Sequence, residues 1–207
     1  MAYFPFFVDL SDKKGIIVGG GKVASGKIEK LKAFGSHLTV IAPKFCSEII
    51  DDKNLNLICR NYRQGDEDGA FFVIAATNDR DVNKIISSRC QEKKIPVNVV
   101  DDPELCSFLF PSIVKEGKLT VGISTSGSSP TAAIEIKKRI RHMIPSSFDE
   151  ILDYLYEERN KIKKNVNSES KRHEILQKLF WEAMEKGRGL TEEETVALMN
   201  DNEPKFL

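Results

Sequence analysis

The sequence predicts an α/β protein: a doubly wound parallel sheet, then a hairpin-and-helix segment, then a small all-helical domain. Three observations predict it. Short apolar runs without polar alternation recur through the first half of the chain, as expected of strands buried on both faces. Stretches with helical spacing alternate with those runs, which is the order of a sheet wrapped by helices. From Ser147 onward only the helical spacing remains.

The elements follow in order. "KGIIVGG" is a buried strand, and Lys22–Phe34 a helix with Ala24, Ile28 and Leu31 on one face until Gly35 stops it. "HLTVIAP" is the second strand, "SEIID" a short helix, "LNLICRNY" a third strand and "AFFVIAAT" a fourth. A helix over Asp81–Lys93 precedes a fifth strand, "IPVNVVD". After Pro103 the pattern changes. "FLFPSIVKEGKLTVGISTSG" holds two strand-like runs joined at Lys115-Glu116-Gly117-Lys118, a hairpin signal. Pro130 opens the helix "PTAAIEIKKRIRHMI", with Ser129 as its candidate cap. Phe148, Ile151, Leu152, Leu155 and Ile162 then form one apolar stripe, and Ile175, Leu176, Leu179, Phe180 and Ala183 another. Thr191 is placed to cap a last helix, and Trp181 is expected in the core. These changes of pattern set three expected parts: residues 1–110, 111–145 and 146–207.

Bulk composition narrows the function classes. Of 207 residues, 41% are hydrophobic and 30% charged, with 31 basic against 31 acidic. That balance gives no sign of a nucleic-acid or membrane partner. The N-terminal "MAYFPFFVDLSDKKG" lacks a basic start and reaches Asp9 early, so neither a signal peptide nor a membrane helix is expected. Cys46, Cys59, Cys90 and Cys106 are scattered without a C-x-x-C pair, which predicts reduced thiols, a cytoplasmic protein and no metal site.

Between the first strand and first helix stands Gly19-x-Gly21-x-x-Ala24, the G-x-G-x-x-A pattern of a Rossmann-like dinucleotide-binding turn. Gly19 permits the tight turn, Gly21 lets backbone approach a pyrophosphate, and Ala24 lets helix and strand pack closely. Lys22 and Val23 open the helix whose free N–H groups face the phosphates. The second strand ends in Ala42-Pro43, where an acid ordinarily accepts the ribose hydroxyls. Ribose must then be held by backbone or by Ser47, and Lys44 nearby leaves NAD and NADP both open.

"PFFVDLSDKKGIIVGGGKVASGKIEKL", "FVIAATNDRDVN" and "VNVVDDPELCSFLFPSIVKEGKLTVGISTSGSSP" occur in one order and spacing. Together they resemble the siroheme-synthesis family, the precorrin-2 dehydrogenases, some of which are also sirohydrochlorin ferrochelatases. The resemblance covers residues 1–145 closely and the helical tail in character only. It implies an NAD-binding domain, a dimerisation segment and a C-terminal helical domain, in a homodimer. The implied reaction is oxidation of precorrin-2 to sirohydrochlorin with NAD⁺ as hydride acceptor, followed in bifunctional members by Fe²⁺ insertion. A methyltransferase module is not expected on a chain ending at Leu207.

Carried onto this chain, the family's aspartate falls on Asp101, as general base, and its loop serine on Ser129. Asp101 also ends the fifth strand, on the edge where open α/β sheets bind ligands, and its neighbour Asp102 adds like-charge repulsion suited to proton abstraction. The bland alternative is a turn before Pro103. Thr77 and Asn78 fall beside the cofactor by the same resemblance, or serve simply to begin the following helix. In "STSGSSP", Ser124, Ser126, Ser128 and Ser129 are candidates for cradling a substrate carboxylate, against an ordinary capped helix start. The basic run Lys137, Lys138, Arg139 and Arg141 reads foremost as a solvated helix face. The competing function is a nucleotide-sensing regulatory module without catalysis, which explains the glycine turn but not "NVVDD" or the serine loop.

Overall fold

The computed structural model describes residues 3–200. Five parallel strands form its main sheet: β1 (Lys14–Val18), β2 (His37–Ala42), β3 (Asn56–Cys59), β4 (Phe72–Ala75) and β5 (Val97–Val99), in the order β3-β2-β1-β4-β5. Helix α1 (Lys22–Lys32) links β1 to β2, α2 (Ser47–Ile50) lies between β2 and β3, and α3 (Arg80–Glu92) links β4 to β5. The unbroken apolar runs have a direct cause. Ile17, Val40 and Ile74 pack with Ala24, Ile28 and Leu31 of α1 on one face. Ile16, Val18, Ile41, Val73 and Ala75 pack with Ile86 and Cys90 of α3 on the other. At these positions neither face meets water, so no alternation is needed.

The described chain divides into two compact units. The first runs to Ser112 and also takes Ser124–Pro130; the second comprises Ile113–Ile123 and the chain from Thr131 onward. In the second, β6 (Ser112–Glu116) and β7 (Leu119–Ile123) pair through a turn at Gly117, whose φ is +50°. Asp149 accepts the Lys118 N–H at 2.7 Å, which ties that turn to α5 (Phe148–Asn165). Helices α4 (Pro130–Met143), α6 (Glu169–Lys186) and α7 (Glu192–Asn200) complete this unit. Ile151, Ile162, Leu179, Ala183 and Leu190 are its core. Thr191 and Glu194 bond each other's backbone N–H at 3.3 and 2.8 Å, a reciprocal cap at the start of α7. Trp181 does not join that core. It is 62% exposed, standing edge-on to Phe180 on the side of α6 away from Leu179 and Ala183.

Between β3 and β4 the chain crosses without a helix, and two ionic clamps hold the crossing. Arg60 and Asp66 form a bidentate pair with both contacts at 2.7 Å, which is also why β3 ends at Cys59 rather than running on to Tyr62. Glu67 is fully buried. Its carboxylate accepts from Tyr62 Oη at 2.7 Å, Arg89 Nε at 2.7 Å, Lys93 Nζ at 2.8 Å and the Gly65 N–H at 3.0 Å. Burial alone would raise its pKa, but donation from Lys93, Tyr62 and Arg89 outweighs that and holds it down to about 2.

The depressed carboxyl fixes the sign of a pH effect. Its contribution is present above its ordinary value of 4.5 and is lost as pH falls toward about 2. Glu67→Gln is expected to destabilise the fold at neutral pH by about 3–5 kcal/mol, as for a broken buried ion pair. Urea unfolding at neutral pH and again near pH 3 checks it: the gap from wild type narrows on acidification, and a gap independent of pH contradicts the assignment.

Candidate functional site

A cleft of about 920 Å³ opens at the carboxyl ends of the parallel strands. It arises where α1 leaves β1 toward one side and α3 leaves β4 toward the other, the switch point at which open α/β sheets bind ligands. Backbone hydrogen bonds carry the ladder right up to its lip: Gly19 N–H to Ile41 O at 2.9 Å, Ala76 N–H to Val18 O at 2.7 Å, and Val100 N–H to Ala75 O at 2.9 Å.

The three glycines at the lip differ in kind. At Gly19 φ is +132°, and a side chain there would collide with the Ala76 carbonyl. A Cβ on Gly20 would strike the Lys44 carbonyl, and Gly20 O accepts the Cys46 N–H at 2.8 Å. Both are required by the protein's own packing. Gly21 has extended backbone, and a Cβ on it would meet nothing within 4 Å. It caps α1 with no side chain and no acid follows in the first turn, so the first amides of the helix are left for a ligand. The cleft thus has the cradle that a pyrophosphate requires, and a dinucleotide fits its size.

Gly19, Gly21, Lys22, Val23, Ala42, Pro43, Thr77, Asn78 and Asp101 all line this cleft. Ala24 does not; it is fully buried on the sheet-facing side of α1, where its small size sets the distance from helix to sheet. Ser124, Ser126, Ser128 and Ser129 also lie outside the lining, on the turn before α4. There Ser126 has φ +53° and donates its N–H to Ser124 Oγ at 3.1 Å, while Thr125 Oγ1 accepts the Ser129 N–H at 3.2 Å. Thr77 and Asp79 serve the helix start: Asp79 caps α3 through the Asp81 and Val82 N–H groups, and Thr77 Oγ1 meets Asn83 Oδ1 at 2.7 Å.

Asp101 is exposed at the end of β5, with φ +60°. That left-handed conformation is uncommon outside glycine. Its neighbour Asp102 pairs with Arg80 at 3.2 Å. Sequence reasoning missed Lys27. Its half-buried ammonium lies 4.1 Å from the Phe110 ring centroid and within electrostatic range of Asp101. Burial, and secondarily Lys30, lowers its pKa, while Cys106 and Asp101 act against that. The signal was present: Lys27 falls three residues after Ala24 and four before Leu31, on the apolar stripe. Tyr62 was also missed and lines the cleft from the β3–β4 crossing.

Residues 6–112 match a family described as putative NAD(P)-binding. Siroheme synthases are similar over nearly the whole chain. That of Thioalkalivibrio sulfidiphilus is 36% identical over 190 residues, covering 90% of this chain and 38% of that protein. That of Nitrosospira multiformis is 35% identical over 194 residues, with 90% and 40% covered. The chain thus spans about two fifths of the length of these curated relatives. A solved structure of SirC, a precorrin-2 dehydrogenase, superposes with a TM-score of 0.72 at 25% identity, covering 96% of this chain and 98% of that one.

The contrast between glycines gives a direct test. Gly21→Val is expected to fold as wild type and lower NAD⁺ affinity about 10-fold or more, because its side chain enters only the cradle. Gly19→Val is expected to lose the cooperative thermal transition itself. Calorimetric titration together with melting curves separates the two.

Proposed function

The chain belongs to the putative NAD(P)-binding family through residues 6–112, and from that premise we propose that it is an NAD-dependent dehydrogenase converting precorrin-2 to sirohydrochlorin. The observation that carries the reading is a juxtaposition. One cleft is lined by the glycine cradle at Gly19–Gly21 and, across it, by the exposed carboxylate of Asp101 on left-handed backbone. Similarity to siroheme synthases and to SirC supplies the substrate class.

In this reading Gly21 and the first amides of α1 hold the pyrophosphate, and backbone at Ala42-Pro43 faces the adenosine ribose. Thr77 and Asn78 border the reacting end of the cleft. NAD⁺, when bound, supplies the hydride acceptor. Asp101 takes the proton lost as the macrocycle is oxidised, while Asp102 stays paired with Arg80. Lys27 provides positive charge behind Asp101 for a polycarboxylate substrate. The serines at Ser124, Ser126, Ser128 and Ser129 are assigned to substrate carboxylates. Asp101 is also the candidate acceptor of macrocycle N–H protons if Fe²⁺ is inserted.

We read residues 111–145 as a dimerisation segment between a cofactor domain, 1–110, and a helical domain, 146–207. Ile134, Ile136 and Met143 of α4 stand exposed, as a second copy would require. No helix among the described residues is long and apolar enough to cross a membrane, and Cys46, Cys59, Cys90 and Cys106 are free, which suits a cytoplasmic enzyme.

The test is absorbance on mixing the protein with precorrin-2 and NAD⁺, with and without Fe²⁺. Sirohydrochlorin formation is expected, and Asp101→Asn is expected to lower its rate about 100-fold, the scale of a lost general base, while NAD⁺ still binds. A folded protein that binds NAD⁺ without turnover would point instead to a sensing role. Full rate in Asp101→Asn would remove it as the base.

A further inference from the structure

The second strand lacks the acid that ordinarily fixes adenosine, so some other feature must hold that half of the dinucleotide if it binds here. The cleft has two ends. The pyrophosphate cradle at Gly21 lies between them. Adenosine belongs beyond the end of β2, where the ribose-binding acid stands in other such sheets, and the reacting ring belongs toward β4 and β5. Tyr62, from the crossing that follows β3, the strand beyond β2 in the sheet, lines the same cleft as Ala42 and Pro43.

Tyr62 is held with unusual firmness for a loop residue. Its hydroxyl donates to Glu67 Oε2 at 2.7 Å, away from the cleft and into the protein. Glu67 is in turn fixed by Arg89 and Lys93 of α3. The backbone two residues before Tyr62 starts from Arg60, locked to Asp66, and Arg63 just after it donates its N–H to Asp66 at 2.8 Å. The ring packs beside the cluster of Val18, Ile41 and Ile86. With the hydroxyl tied down behind, the apolar ring is what Tyr62 offers to the cleft. Val82, from the first turn of α3, also lines the cleft.

We propose that Tyr62 is the adenine platform of this site and Glu67 its positioning residue: the purine is held by stacking on a pre-set ring instead of by a carboxylate on its ribose. This rests on the reading of the cleft as a dinucleotide site. It accounts for a buried carboxylate with four donors in a crossing loop. It also accounts for the tolerance of Ala42-Pro43 where an acid is usual. Stacking is indifferent to the ribose 2′ position, so the platform itself does not tell NAD⁺ from NADP⁺.

Calorimetry with ADP on the full chain tests this without any turnover, alongside the fluorescence of 1,N6-etheno-ADP, which reports stacking of the base. Tyr62→Ala is expected to weaken ADP and NAD⁺ alike by about 10- to 100-fold, the worth of one base–aromatic stack, and to abolish the fluorescence change. Tyr62→Phe keeps the ring and loses its tether, so its affinity should lie between the two with the fluorescence change retained. Glu67→Gln should match Tyr62→Phe, provided circular dichroism shows it folded; Tyr62→Phe carries the test if it is not. Folded Tyr62→Ala that binds ADP within twofold of wild type overturns the proposal, as does a Tyr62→Phe variant as weak as Tyr62→Ala, which would assign the contact to the hydroxyl. Wild-type protein that binds neither ADP nor NAD⁺ overturns the dinucleotide reading itself, a different result from either.

Discussion

Everything in the first unit depends on how closely β1 and β4 run at their carboxyl ends. Their register carries Val18 opposite Ala75, and the next hydrogen bond brings Ala76 against Val18 O at 2.7 Å. Only a residue without a side chain can follow Val18 there, because any Cβ on Gly19 enters the Ala76 carbonyl. With the two strands pinned, their helices must depart to opposite faces, and a cleft opens between the departing chains. The turn is therefore a packing solution first. Gly21 is the member of the run that the protein's own packing does not require, and so the one whose identity points to something outside the protein.

The crossing from β3 to β4 obeys a second constraint. It passes over the sheet without a helix to absorb its polar backbone, and it carries an acid into a region closed to water. A buried ion cluster is weak ground for stability, since desolvation consumes most of the Coulomb gain. Its effect is to restrict conformation. Four donors on one carboxylate, with a bidentate Arg60–Asp66 pair alongside, leave the crossing a single arrangement, and that arrangement delivers an aromatic ring to the cleft wall.

Much of this was legible in the residues. Five apolar runs gave five strands, and the Ala24, Ile28 and Leu31 spacing identified the buried face of α1. Such features are local: burial on two faces and helical period are written in adjacent positions. What was illegible depends on partners far along the chain. Glu67 stands in "QGDEDGA", which reads as a solvated loop, and its donors Arg89 and Lys93 come 22 and 26 residues later. Tyr62 reads as the end of a third strand, because nothing nearby reveals that Arg60 turns aside to Asp66. Trp181 follows the general preference of tryptophan for burial, yet α6 turns Leu179 and Ala183 inward and leaves it outside.

The two adjacent carboxylates at the end of β5 show how backbone geometry divides roles that sequence leaves equal. Asp101 and Asp102 have the same chemistry and neighbouring positions. An extended chain would place their side chains on opposite faces but leave both free. The left-handed φ of Asp101 breaks the strand, and Asp102 swings within 3.2 Å of Arg80 at the start of α3, where the helix supplies the counter-charge. Asp101 remains exposed on the cleft edge, and Lys27, within electrostatic range of it, is held over Phe110. One carboxylate holds the strand end to the helix, and the other stays exposed on the cleft. A left-handed residue at that corner is thus what turns one of two identical acids into an ion pair and leaves the other on the cleft.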